Sequence, residues 1–195
     1  MRTANMERNT AETKIQLTLN LDGEEFCQID TGCGFLNHML ELFTRHGGFG
    51  LKLTCHGDTG VDFHHSTEDV GIALGEAFRA ALGDKRGIQR YGSFLLPMDE
   101  ALVLTAVDLS GRACCCYGLE LPAQKVGDFD TELVEEFFLG FTRSAGASLH
   151  IRQLAGKNTH HIIEAAFKGF GRAMAQAVGL DLRHPDQVPS TKGIL

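Results

Sequence analysis

Two stretches of the chain carry one chemical pattern. "DFHHSTEDVG" at 62–71 and "NTHHIIEAAF" at 158–167 each set two adjacent histidines ahead of a glutamate, as His-His-x-x-Glu. A helix turns by about 100° per residue, so residues four apart share a face and adjacent ones diverge. His64 with Glu68, and His160 with Glu164, can each grip one ion. His65 and His161 then point away, toward a second. Imidazole and carboxylate donors with open positions suit manganese, iron or zinc, and the absence of cysteine from both motifs turns away from structural zinc. A single His-His pair is an ordinary surface or cap feature. Its recurrence at matching points of a repeated chain is what makes metal binding the reading. His38, in "FLNHML", is a further candidate ligand, and an offset of 98 residues sets it opposite Glu136 in "VEEFF". His46, His56, His150 and His184 have no such counterpart and read as ordinary residues.

The cations suggest a second function for the same region. Lys168 lies one helical turn past Glu164. Arg90 ("GIQRYG"), Arg112 ("LSGRA") and Lys192 ("PSTKG") are scattered, with Ser190 and Thr191 beside the last. Each alone is a solvated side chain. Together they allow a phosphate site near the metals. The formal net charge of −7 argues against a nucleic-acid partner, which wants a basic surface, but not against a small anionic substrate.

These residues must be positioned by a fold written twice. "HH" recurs at an offset of 96, "ELFTRHGG" and "LGFTRSAG" at 98, and "NLDG" and "DLSG" at 88, all in the same order. Such drift fits loop insertions in an internal duplication. "KIQLTLNLDG" and "LKLTCH" alternate like half-buried strands, "FLNHMLELFTRHGG" is helical with Gly47 as its stop, and a second helix runs from about Ser66 to Leu82. In the second half "ALVLTAVDLSGRACCCYGLEL" reads as a hairpin and "TELVEEFFLGFTR" as a helix capped by Asp130 or Thr131. "SLHIRQL" is a strand, and a last helix spans His160 to Val178. The predicted fold class is α+β and internally duplicated. Two similar half-domains, 1–92 and 93–195, each pack helices on one face of a mostly antiparallel sheet. Residues 1–10 and about 184–195 read as arms or loops.

The 195 residues, 43% apolar and 22% charged, suit a soluble globular protein. No apolar run reaches the roughly 18–20 residues that span a bilayer, and the N-terminus lacks a signal-peptide core. A cytoplasmic protein is expected, with its six cysteines reduced and mostly buried.

Taken in order, "RNTAETKI", "GFLNHMLELFTRHG", "HHSTEDVGIALGEA", "GDKRGIQRYG", "MDEALV", "DLSGR", "LHIRQLAGKNTHHIIEAAFKGFGRA" and "PSTKG" resemble the imidazoleglycerol-phosphate dehydratases of histidine biosynthesis over almost the whole chain. The resemblance implies two Mn2+ ions per active site, other divalent metals being possible. Their ligands would be His38, His64, His65, Glu68, His160, His161 and Glu164, with Glu136 where the family often has histidine. It implies phosphate contacts at Arg90, Arg112, Lys168, Ser190 and Lys192, the last two on a substrate-binding tail, and a substrate-contacting acid at Glu12. It also implies a homo-oligomer, a 24-mer with active sites at subunit interfaces. The expected reaction removes water from imidazoleglycerol phosphate to give imidazoleacetol phosphate. The imidazole would be held as imidazolate between two metals, and Glu12 or Glu164 would shuttle protons. Two other readings suit the bare residues: a dinuclear phosphate-ester hydrolase, and a shell protein assembled by metals.

Overall fold

The computed structural model describes residues 1–23 and 26–195. The first half runs β1 (Thr3–Asn9), β2 (Thr13–Asn20), β3 (Cys27–Asp30), α1 (Gly34–Gly47), β4 (Gly50–Gly57) and α2 (His64–Leu82). The second runs β5 (Tyr91–Met98), β6 (Ala101–Asp108), β7 (Cys114–Gly118), β8 (Lys125–Val126), β9 (Phe129–Asp130), α3 (Leu133–Ala145), β10 (Ser148–Ala155) and α4 (Thr159–Val178). The two large sheets share one strand order, β1-β2-β4-β3 and β5-β6-β10-β7. In each, the last strand is parallel to its neighbour and the other pairs are antiparallel. The small β8–β9 hairpin has no counterpart among the described residues of the first half.

Alternation in the sequence produces these sheets. In β2, Ile15, Leu17 and Leu19 are buried while Lys14 and Gln16 face solvent. β6 repeats the pattern with Val103 and Val107 inward. The period of two sends alternate side chains to one face, and the helices cover that face.

Three local expectations are corrected. Residues 101–121 do not form a hairpin: β10 lies between β6 and β7, and β6 instead makes its hairpin with β5. The N-terminal arm is a strand, β1, paired along its whole length with β2. Helix α3 takes Glu132 as its N-cap without a side-chain bond. Thr131 turns its hydroxyl to the carbonyls of Ala123 and Gln124, and Asp130 pairs with Lys125. Gly47 is the last residue of α1, and the left-handed cap is Gly48, whose N–H reaches Thr44 O. Gly146 ends α3 in the same way, on Thr142 O.

The helices pair across the duplication, α2 against α3 and α1 against α4. Glycines permit the pairing, two of them at equivalent points of the two halves. A Cβ on Gly75 would lie 2.5 Å from Phe141 O, and one on Gly171 would lie 2.5 Å from Phe43 O. The two approaches are copies of each other. Around them Phe43, Phe78, Phe141 and Phe170, one from each helix, close a ring of aromatic contacts at 4.9–6.0 Å between centroids. Each such contact adds about 0.5–1.5 kcal/mol beyond burial. The two halves therefore share one core.

Candidate active site

Helix α4 begins with Asn158 as its cap, whose side chain accepts the His161 N–H. That start sends His160 toward α1. His38, His160 and Glu164 come together there, with one ligand atom of each within 4.8 Å of the others. Nε2 of His160 lies 3.0 Å from Glu164 Oε2. Adjacent ligands held about 2.1 Å from one ion stand about 3.0 Å apart, so this donor set fits a divalent metal. The other carboxylate oxygen, Oε1, receives Lys168 Nζ at 2.5 Å. Burial pushes the Glu164 pKa up, but the bond and charge of Lys168, with His160, outweigh it and hold the carboxylate below its ordinary range.

A related but more open arrangement lies where α2 of the first half meets α3 of the second. His64, at the start of α2, and Glu136, in the first turn of α3, line one cavity with Tyr117, Thr131 and Glu132. Glu68 follows His64 one turn along α2. Arg8 and Thr13 both donate to the buried Asp69 beside it, which ties the start of α2 to β1 and β2.

The diverging histidines share a different environment. His161 Nδ1–H donates to Glu100 Oε2 at 2.7 Å, and His65 Nδ1–H donates to Asp58 at 3.0 Å. Each Nε2 then faces a second acid: Asp99 at 3.7 Å from His161, and Glu12 at 3.6 Å from His65. Metal-binding histidines characteristically give their second nitrogen to a carboxylate, which fixes the tautomer and leaves the other nitrogen for the ion. The bond to Glu100 raises the His161 pKa, and Asp58 does the same for His65. Glu100 is pulled down to about 2 by His161 and by the backbone N–H groups of Asn158 and Lys157. Asp58, Asp99 and Glu100 are absent from the sequence-based candidates. For Glu100 a signal existed, since the 88-residue offset carries Glu12 onto it; Asp58 lies in a loop with no repeat partner.

The expected phosphate residues divide between two places. Lys168 stays with Glu164 and touches Met98 Sδ. Arg90, at φ 70°, bonds Ala177 O through its N–H, at the far end of α4. Its guanidinium holds Asp108 at 2.7 Å and Pro189 O at 2.8 Å, so it anchors the tail that carries Ser190 and Lys192. Ser190 Oγ accepts the Lys192 N–H. Arg112 is exposed after Gly111, against which the C-terminal Leu195 rests. From His160 to Ala177 the helix rises about 25 Å at 1.5 Å per residue. The Arg90–tail end and the His160 end of one chain are thus opposite poles.

Among the described residues no helix is long and apolar enough to cross a membrane. Comparison with known proteins adds the identity of the reaction. The sequence profile described as imidazoleglycerol-phosphate dehydratase matches residues 31–174. An imidazoleglycerol-phosphate dehydratase from Pelobacter propionicus is 57% identical over 194 residues, covering 100% of this chain and 99% of its own length. One from Synechococcus is 54% identical over 195 residues, covering 100% and 96%. The crystal structure of the Pyrococcus furiosus enzyme in complex with (S)-C348 superposes with a TM-score of 0.85 at 38% identity, over 97% of this chain and 100% of that one. The Staphylococcus aureus enzyme gives 0.84 at 41%, over 92% and 99%. Fold and sequence define a hydro-lyase. The chain belongs to the imidazoleglycerol-phosphate dehydratase family, and its reaction is the dehydration of imidazoleglycerol phosphate in histidine biosynthesis.

Proposed function

We propose that this dehydratase works in the cytoplasm as a manganese-dependent 24-mer whose active sites are shared between subunits. The observation that carries the sharing is the separation of poles in one chain. A single substrate bearing an imidazole at one end and a phosphate at the other is far shorter than the rise of α4 from His160 to Ala177. If it touches both the histidine cluster and the Arg90–tail pole, those must come from different chains. A closed homo-oligomer supplies such neighbours by symmetry.

His38, His160 and Glu164 would hold one ion, and His64, Glu68 and Glu136 are the corresponding set for a second. His65 and His161, oriented by Asp58 and Glu100, would complete sites on neighbouring chains. The bound ions would supply Lewis acidity toward the imidazole nitrogens. The chain's own groups do the rest. Arg112, Ser190 and Lys192 bind the phosphate and fix the side chain's orientation, with Arg90 bracing the tail. Lys168 keeps the Glu164 carboxylate ionised. Glu12, exposed beside His65 Nε2, takes the proton from the carbon adjacent to the one that bears the departing hydroxyl and passes it to that hydroxyl, so that the C–O bond breaks and water leaves. The enol that remains tautomerises to the ketone.

The test is direct. The metal-loaded protein is incubated with imidazoleglycerol phosphate, with and without chelator, and the ketone product is measured. Product with manganese, lost on chelation and restored by manganese, supports the metal assignment; turnover untouched by thorough chelation refutes it. Glu12→Gln retaining full turnover removes Glu12 from proton transfer. Release of inorganic phosphate in place of ketone would mark the hydrolase reading instead, which the matched relatives do not favour.

A further inference from the structure

Strand β7 carries three consecutive cysteines, and the reaction uses none of them. They are not the buried residues their small size suggests. Cys115 points inward, partly buried against the core, where burial pushes its thiol up to about 12. Cys114 is exposed and Cys116 half-exposed, because the period of two sends both to the outer face of an edge strand that no helix covers. Their sulfur atoms lie 3.7 Å apart.

That spacing is a chelate bite. Two thiolates bound at about 2.3 Å to one tetrahedral ion stand about 3.8 Å apart. The neighbouring strand offers a third donor. In the parallel register of β7 with β10, His150 is the partner of Cys116 and Ser148 the partner of Cys114. In-register neighbours share a face about 4.8 Å apart, and His150 is exposed there. Arg152, two residues on, lies across Gly118 on the same face.

We propose that Cys114, Cys116 and His150 form a surface site for a thiophilic divalent ion, Zn2+ or Cd2+, with water in the remaining position. The two thiols lose their protons to solvent as the ion binds, and the ion replaces them between the sulfurs. The imidazole swings from its solvent-facing position to complete the set. The site is separated from the histidine–carboxylate site by donor softness as well as by place. Thiolates select soft ions, and imidazole with carboxylate suits manganese.

Cadmium separates the two sites spectroscopically. The assembled, manganese-loaded protein is titrated with Cd2+, and the ultraviolet cadmium–thiolate charge-transfer band is followed. Cadmium that displaces manganese gives no such band, since none of the expected manganese ligands is a cysteine. One band-forming cadmium per chain is expected, abolished in Cys114→Ser and in Cys116→Ser but retained in Cys115→Ser. His150→Ala is expected to weaken binding by roughly ten-fold or more, at least the cost of losing an outer-shell partner of a metal. Manganese-dependent turnover of the serine variants reports that they are folded. A wild-type protein with no band, or a band that persists when both Cys114 and Cys116 are serine, overturns the proposal.

Discussion

Replacing Glu100 by glutamine tests whether the diverging histidine is a metal ligand. In the structure both oxygens of Glu100 are occupied. Oε2 accepts the His161 Nδ1–H at 2.7 Å, and Oε1 accepts the Lys157 and Asn158 N–H groups at 3.1 and 2.8 Å. Glutamine has one oxygen and one NH2 group, so it cannot serve both sets. If its oxygen stays on the backbone, its NH2 faces Nδ1. That histidine then carries its proton on Nε2, the nitrogen required for the ion. If the amide turns round, its NH2 faces two backbone donors and leaves them unpaired. Loss of such an outer-shell partner costs about 10–100-fold in metal affinity. The assay is a manganese titration in which free Mn2+ is read by electron paramagnetic resonance, resolving two sites per active site. One site is expected to weaken by about 10–100-fold and the other to keep its affinity.

The pH dependence adds a second signature. Glu100 raises the His161 pKa, so in the wild type a proton competes with the ion to higher pH than at an ordinary histidine. Removing the charge lowers that pKa. The deficit of the variant is therefore full above the wild-type His161 pKa and narrows as pH falls below it. Unchanged affinity at both sites well above the histidine range would refute the ligand role of His161 and the orienting role of Glu100 together.

Other outcomes follow from the same structure. Gly171→Ala puts a Cβ 2.5 Å from Phe43 O; pushing α1 from α4 is expected to cost about 1–3 kcal/mol, read as a fall in the urea midpoint. Glu136→Ala is expected to weaken one manganese site while Glu136→His retains it, checked by the same titration; an unaffected Glu136→Ala removes that residue from the ligand set. Asp22, bonded by Arg2, has a pKa below its ordinary 3.8. Its contribution is present above that value and lost as pH falls through the lowered one. Asp22→Asn is therefore expected to lose about 0.2–1 kcal/mol at neutral pH, the range for a partly exposed pair, and nothing in strong acid, by urea unfolding at the two conditions. Lys168→Met removes the cation that holds the Glu164 carboxylate below its ordinary range; protons are expected to displace manganese from that site at a higher pH than in the wild type, read by the same manganese titration run toward acid.

Periodicity made much of this architecture readable. The helices around both His-His-x-x-Glu motifs fall where their apolar spacing sets them, because those faces are buried along their whole length. The pairing of His160 with Glu164 follows from helical geometry alone, and the repeat sets Glu136 at the position equivalent to His38, although the structure brings His38 to His160 and Glu164. What failed were inferences that assumed neighbours in sequence are neighbours in space. β6 and β7 look like a hairpin, yet β10 arrives some thirty residues later and takes the place between them. β1 was hidden because its outward positions are polar and its partner contacts are backbone bonds. The cysteines of β7 were misjudged because residue type reports preference for burial, and an edge strand's outer face has nothing to bury against. Asp58 lies in a loop whose conformation no period encodes, Glu100 is reachable only through the repeat that carries Glu12 onto it, and the opposite placement of the Arg90 and His160 poles depends on which end of α4 the β5 strand meets.

That polar separation has a genetic meaning. If one chain lends its histidine end to a site and another lends its tail, a variant broken at His160 and a variant broken at Lys192 fail for different reasons and carry each other's missing part. Dissociated, mixed in equal amounts and reassembled, two inactive proteins would regain activity at about one site in four, the chance that both intact ends meet at random across a symmetric interface. The same arithmetic makes an allele damaged at only one pole partly dominant or partly rescued, according to what its neighbours in the assembly bring.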